Sequence, residues 1–246
     1  MKATVVLLHG FASSGQTWSR LAQDLATDFS VLAPDWPGFG RSSRRAPLRS
    51  AAQMAQAVLG HADALGADRI HVLGHSMSGF VVQELLAAHA DRLGRVVLYG
   101  AGARVDQGRR FEPIERTVER LLADGVASTV ERVAATWFCA GEGDPAFAAC
   151  VADGRRMSRA AAVAAMRAFA SADYRGRLGR AGAECLVIMG ERDRTFPVDL
   201  GVELRDALPR AQLCVLPGCA HAAHLERPDL FGAIVGAFLR EGLAAR

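Results

Sequence analysis

The chain predicts an α/β fold in which a parallel sheet is covered by helices on both faces and interrupted once by a helical insertion. Three observations carry this. Short apolar runs alternate with segments of helical period along residues 1–103 and again along 181–246. One run, Ile70 to Leu73, passes through Gly74 and Ser76 straight into a helical stretch, Phe80 to Ala88. Between 104 and 180 the alternation stops and only helical patterns remain. Alternation at this spacing implies right-handed βαβ units and buried parallel strands. The 246 residues, half of them apolar, suffice for one large core, so 1–103 and 181–246 read as that core and 104–180 as a helical cap inserted within one domain.

In order, Ala3 to Leu8 is a continuous apolar run of the kind that forms a buried parallel strand, and it ends at His9-Gly10-Phe11. Thr17 to Ala26 places Trp18, Leu21, Ala22 and Leu25 on one helical face. Val31 to Ala33 is a second strand, cut off by Pro34-Asp35-Trp36-Pro37-Gly38-Phe39-Gly40, where proline and glycine preclude regular structure. Leu48 to Leu65 is helical, and Arg95 to Tyr99 is the strand after Ile70 to Leu73. In the insertion, helices are expected over about 111–123, 126–138, 145–152 and 158–171. Strands then resume at 184–189 and 212–216, with helices at 198–208 and 228–239.

A serine at the apex of a strand–turn–helix has a physical meaning. Small neighbours accommodate the strained backbone, the hydroxyl is pushed out of the sheet, and the amide of Met77 lies at the positive end of the next helix. A hydroxyl becomes a nucleophile when an imidazole takes its proton and an acid holds that imidazole. In open parallel sheets such groups lie beyond the carboxyl ends of strands. Asp193 and His221 both meet that condition, in the order serine, aspartate, histidine; His224, three residues on, competes with His221.

The segments HGF at 9–11, DWPGFGRS at 35–42, GHSMSG at 74–79, GERD at 190–193 and GCAHAAHLERP at 218–228 resemble the α/β-hydrolase fold enzymes, in the group of esterases, enol-lactonases and C-C hydrolases. The resemblance covers nearly the whole chain. It implies Ser76 as nucleophile, Asp193 as orienting acid and His221 as base, since the spacing of His221 to Glu226 and Pro228 matches the family. It also implies an oxyanion hole from the amides of Phe11 and Met77. Asp35 and His9 are expected to be structural, the latter bracing the oxyanion loop. His61, His71, His75 and His89 are expected to be structural or solvated. Trp36, Trp137 and Phe138 are candidates for the substrate pocket.

The chain departs from the family pattern at Ser78, where a second glycine is usual, and in lacking an antiparallel hairpin before the HG strand, so a minimal sheet of six parallel strands is expected. The serine argues against the dehalogenases and epoxide hydrolases of the fold, which use aspartate there. His75 weakens C-C hydrolases, where asparagine is common. Phrases at 125–138 and 169–178 resemble enol-lactonases. The expected activity is hydrolysis of a carboxylic ester or lactone, with C-C cleavage, or a slow receptor or regulator of the same fold, as alternatives.

Composition narrows the partners. The five cysteines form no C-x-x-C pair, so neither a disulfide framework nor a zinc site is indicated, no cofactor is implied, and a reducing cytoplasm is expected. No apolar run is long enough to cross a bilayer. The net charge of +3 comes almost wholly from arginine, scattered among acids without interleaved aromatics, which argues against nucleic acid. Residues 104–180 hold thirteen arginines and ten acids, so the whole excess lies on the cap. A small-molecule ester or lactone is therefore the expected partner, one bearing a carboxylate if a cap arginine faces the cleft. Nothing in the sequence speaks to oligomeric state.

Overall fold

The computed structural model describes residues 2–244, apart from the side chains of 242–244. Six strands form one parallel sheet among the described residues: β1 (Ala3–Leu8), β2 (Phe29–Leu32), β3 (Ile70–His75), β4 (Leu93–Tyr99), β5 (Cys185–Gly190) and β6 (Ala211–Leu216), in the spatial order β2-β1-β3-β4-β5-β6. Every pairing is parallel. The central strands β1, β3 and β5 are buried almost throughout, as their unbroken apolar runs require, because helices cover both faces.

Around the sheet run α1 (Ser19–Leu25), α2 (Ala51–Ala64), α3 (Met77–Ala88), α4 (Ile114–Ala123), α5 (Gly125–Ala134), α6 (Phe147–Gly154), α7 (Arg159–Phe169), α8 (Val198–Asp206), α9 (Ala223–Glu226) and α10 (Pro228–Ala244). Ser50 and Ser158 cap α2 and α7, their hydroxyls accepting from the amides of Gln53 and Ala161. The expected helix at 17–26 opens instead as a 3-10 turn, Gly15–Trp18, capped by Ser14. The strand expected to begin at Val31 begins at Phe29. In the cap three helices are shorter than their patterns and α6 keeps its length two residues later than expected: α4 starts three residues after Phe111, and α5 stops at Ala134, leaving Trp137 and Phe138 in the turn beyond it.

The cap helices α4–α7 lie between β4 and β5 and join one apolar core with α2, α3 and the neighbouring face of the sheet. A second core, under α1 and α10, fills the opposite face around Trp18, Tyr99 and Phe231. No helix among the described residues is long and apolar enough to cross a membrane.

Candidate active site

The site is built where β3 meets α3. Ser76 has φ 55° and ψ −118°, and with Ala12 (φ 49°) it is one of the two non-glycine residues at positive φ among the described residues. Such backbone is held only where the surroundings over-determine it. Here the Ser76 amide donates to the carbonyl of Tyr99 (2.8 Å) and the Gly79 amide to that of Ser76 (2.8 Å). Close packing fixes the rest: a methyl on Gly74 would lie 2.5 Å from the carbonyl oxygen of Ser78, and one on Gly10 would lie 2.9 Å from His75 Nδ1 and 3.2 Å from Ser76 Cβ. Gly10 thus lets the β1 loop, with Phe11, lie against the serine turn.

Ser78 is fully buried and ties that loop down. Its hydroxyl donates to the carbonyl of His9 (2.5 Å) and accepts from Trp36 Nε1 (3.0 Å). A glycine could make neither bond, so the departure from the usual motif fastens the β1 loop to α3. His9 completes the brace, its Nε2 accepting from the Trp36 amide (3.0 Å) while its Nδ1 donates to the Gly10 carbonyl (2.8 Å). Burial pushes His9 down to about 4, so it is neutral and structural. Asp35 is structural as well, accepting from the amides of Gly15 and Arg41 (both 2.7 Å).

His221 follows β6, and its Nδ1 donates to Asp193 Oδ2 at 2.7 Å. The other carboxylate oxygen accepts from the amides of Thr195 (2.7 Å) and Phe196 (2.9 Å), which fixes the acid in the loop after β5. Both side chains are almost fully buried. The backbone of His221 is anchored at its carbonyl, which accepts from Tyr99 Oη (2.7 Å) and His75 Nε2 (3.1 Å). Because Tyr99 spends its proton there, His224 Nδ1 must donate to Tyr99 Oη (3.1 Å), leaving His224 Nε2 to accept from Thr17 Oγ1 (2.7 Å). Burial pushes His224 down to about 3 and holds His75 well below its ordinary value; the nearby His221 lowers both further. His224 is therefore a neutral member of a packed network, and the geometry separates it from His221.

Among the described residues, Ser76 Oγ, His221 Nε2 and the amides of Phe11 and Met77 make no hydrogen bond. Ser76, Phe11 and Met77 border one cavity between sheet and cap. A catalytic hydrogen bond is often long until substrate is present, so this arrangement can support proton transfer from a hydroxyl and stabilisation of an oxyanion. Of the pocket candidates, Trp137 lines the cavity, its ring 6.0 Å from that of His221. Trp36 and Phe138 do not line it: Trp36 spends its indole N–H on Ser78 and His9, and Phe138 packs on Phe147. An aromatic residue in a loop rich in proline and glycine is as easily turned inward as toward a ligand, and sequence period does not separate the two.

The sequence reading missed Glu226 as a fastener. Its two carboxylate oxygens accept from the amides of Cys139 (2.7 Å) and Ala220 (2.6 Å), joining cap to histidine loop, and the Ala222 amide adds a bond to the Trp137 carbonyl (2.9 Å). The fixed spacing from His221 to Glu226 was its only trace in the sequence. Phe80, Arg110, Thr195 and Phe196, which also line the cavity, went unrecognised as wall residues.

The family described as alpha/beta hydrolase fold matches residues 3–228. Among curated proteins, a 2-hydroxy-6-oxo-6-phenylhexa-2,4-dienoate hydrolase from Burkholderia cepacia is 29% identical, covering 97% of this chain and 88% of its own. A putative carbamate hydrolase, RutD, from Agrobacterium fabrum is 28% identical over 96% of this chain and 92% of its own. Among solved structures, the enol-lactonase from Burkholderia xenovorans LB400 superposes with a TM-score of 0.90 at 26% identity, covering 98% of this chain and 92% of that one.

Proposed function

The chain belongs to the alpha/beta hydrolase fold family, and on that premise we propose that it is a serine hydrolase of a small carboxylic ester or lactone, working through an acyl-enzyme. The observation that carries this reading is the 2.7 Å bond from His221 Nδ1 to the buried Asp193, with the His221 ring 4.7 Å from that of His75, the neighbour of a strained Ser76 whose Oγ makes no hydrogen bond. In the reaction, Ser76 Oγ attacks the carbonyl carbon while its proton passes to His221 Nε2. The amides of Phe11 and Met77 receive the oxyanion. The bond to the leaving oxygen then breaks and His221 returns the proton to it; water, activated the same way, frees the acid and restores Ser76.

Asp193 holds the imidazole in the tautomer that leaves Nε2 free, and stabilises the imidazolium as it forms. No step calls on a metal or organic cofactor. Relatives named as C-C hydrolases favour a second reading, in which the same serine attacks a ketone flanked by a cleavable carbon bond. Free thiols at all five cysteines support a reducing compartment such as the cytoplasm.

The test is covalent labelling with a fluorophosphonate together with steady-state turnover of p-nitrophenyl esters, simple lactones and a vinylogous diketone acid. Labelling of wild type and its loss in Ser76→Ala support the nucleophile. Sustained ester or lactone turnover supports the first reading over C-C cleavage and over a receptor with slow turnover; labelling retained in Ser76→Ala refutes the assignment.

A further inference from the structure

Most arginines of the cap are balanced: Arg104, Arg109, Arg132, Arg155 and Arg177, for example, pair with Asp106, Asp199, Glu112, Glu131 and Glu84. Among the described residues, Arg110, Arg159, Arg167 and Arg180 have no carboxylate partner. The last three are exposed, where water solvates the charge. Arg110 instead lines the cavity beside Ser76. Its guanidinium lies over the rings of Phe111 and Phe196, 5.6 and 5.8 Å from their centroids, and its Nε is enclosed without an acceptor.

The acids nearest to it are engaged elsewhere. Glu112 is held by Thr117 Oγ1 (2.6 Å) and Arg132 (2.8 Å), and Asp193 by two amides and His221. Burial pushes Arg110 down to about 10, with the charge of Asp193 opposing, so it remains cationic at neutral pH. In the same cavity Thr195 Oγ1, from the loop after β5, is a second buried polar atom without a partner. Two such atoms in one mainly apolar cavity are costly unless a ligand satisfies them.

We infer that Arg110 and Thr195 Oγ1 form a carboxylate-recognition site, so that the substrate is an ester or lactone carrying a free carboxylate. The planar guanidinium fork matches a carboxylate in two parallel bonds, and its single charge balances a monoanion. A phosphate dianion would leave an excess negative charge close to Asp193. The inference rests on Ser76 being the nucleophile that the bound acid presents its ester to.

The experiment compares mono-p-nitrophenyl glutarate with p-nitrophenyl pentanoate, which has the same length and no charge. Wild type should favour the acid ester in kcat/KM by about 10- to 100-fold, mainly through KM, the scale of a charge-assisted bond. Arg110→Met should bring the ratio near one, and Arg110→Lys should restore part of it. Removing an unpaired buried charge should also raise Tm. If Arg110→Met does not fold, Thr195→Val, which keeps the shape, should still lower the ratio several-fold. Equal rates on both esters in wild type, or an equal loss on both in the variants, would overturn the inference and leave the hydrolase reading intact. If wild type turns over neither ester and takes no fluorophosphonate, the hydrolase reading fails instead. Calorimetry with glutarate then decides the site alone: binding lost in Arg110→Met upholds it, and no binding, or binding unchanged in that variant, refutes it.

Discussion

The two walls of the cavity follow opposite rules. On the sheet side the polar groups around Ser76 and His221 are buried and most are bonded to one another: His9, Asp35, His75, Ser78, Tyr99, Asp193 and His224 all have partners, Thr195 Oγ1 being an exception on the cavity wall, and the three buried histidines with lowered values are neutral. The cap, residues 104–180, contains no histidine at all. It presents apolar helix faces with salt bridges turned outward, and its one charged side chain on the cavity wall has no partner. On the proposed reading, the difference separates two tasks. Groups that must be held to within a fraction of an ångström sit on strand ends fixed by backbone hydrogen bonds, whereas selection among substrates needs shape and one charge, which packed helices can supply.

The sharpest test of that division is at the sheet side. Ser76→Ala and His221→Ala should each lower kcat by about 10⁶-fold, and together by hardly more, because the groups act as a unit. Asp193→Asn should cost about 10⁴-fold by presenting the wrong tautomer. His224→Ala, though only three residues from His221, should cost far less in kcat; a larger loss there would move the base and break the comparison.

Next comes acid lability, measured by urea denaturation between pH 7.5 and 4. A buried histidine whose value is lowered from 6.5 to about 4 (His9) or about 3 (His224) takes its proton preferentially in the unfolded chain. The stability it contributes is complete above pH 6.5 and is lost as pH falls from there toward the folded value, each group giving up on the order of 3 kcal/mol by pH 4. His224→Gln should flatten the profile by about one proton; a wild-type profile that stays level below pH 6.5 would mean the sheet-side network tolerates charge.

Smaller still, Tyr99→Phe removes the donor to the His221 carbonyl and the acceptor for His224, and should cost about 1–3 kcal/mol of stability. It should lower kcat less than Asp193→Asn does, since the His75 bond to that carbonyl remains. The smallest effect belongs to the outer surface of the cap. The exposed Arg116–Glu119 pair should contribute less than about 1 kcal/mol, so Arg116→Ala should leave Tm almost unmoved.

The sequence by itself determined the parallel sheet, the turn at Ser76 and the helical cap, because burial on both faces writes unbroken apolar runs and one-sided burial writes a period of 3.6. It also marked Asp193 and His221 as polar residues just past strand ends, where the structure pairs them, since position relative to a strand end is a local property of the chain. Only the tertiary structure decided what meets across many residues. Trp36 and Phe138 turned away from the cavity while Trp137 stayed on its wall; Ser78 proved a fastener of the β1 loop rather than a mere substitute for glycine. The cap's excess charge was visible as a count, yet which arginine stood without an acid depended on where Glu112, Asp193 and Phe196 came to rest around Arg110. Periodicity records the face a side chain turns to, and not the partner it finds there, because partners are fixed by packing between segments far apart in the chain.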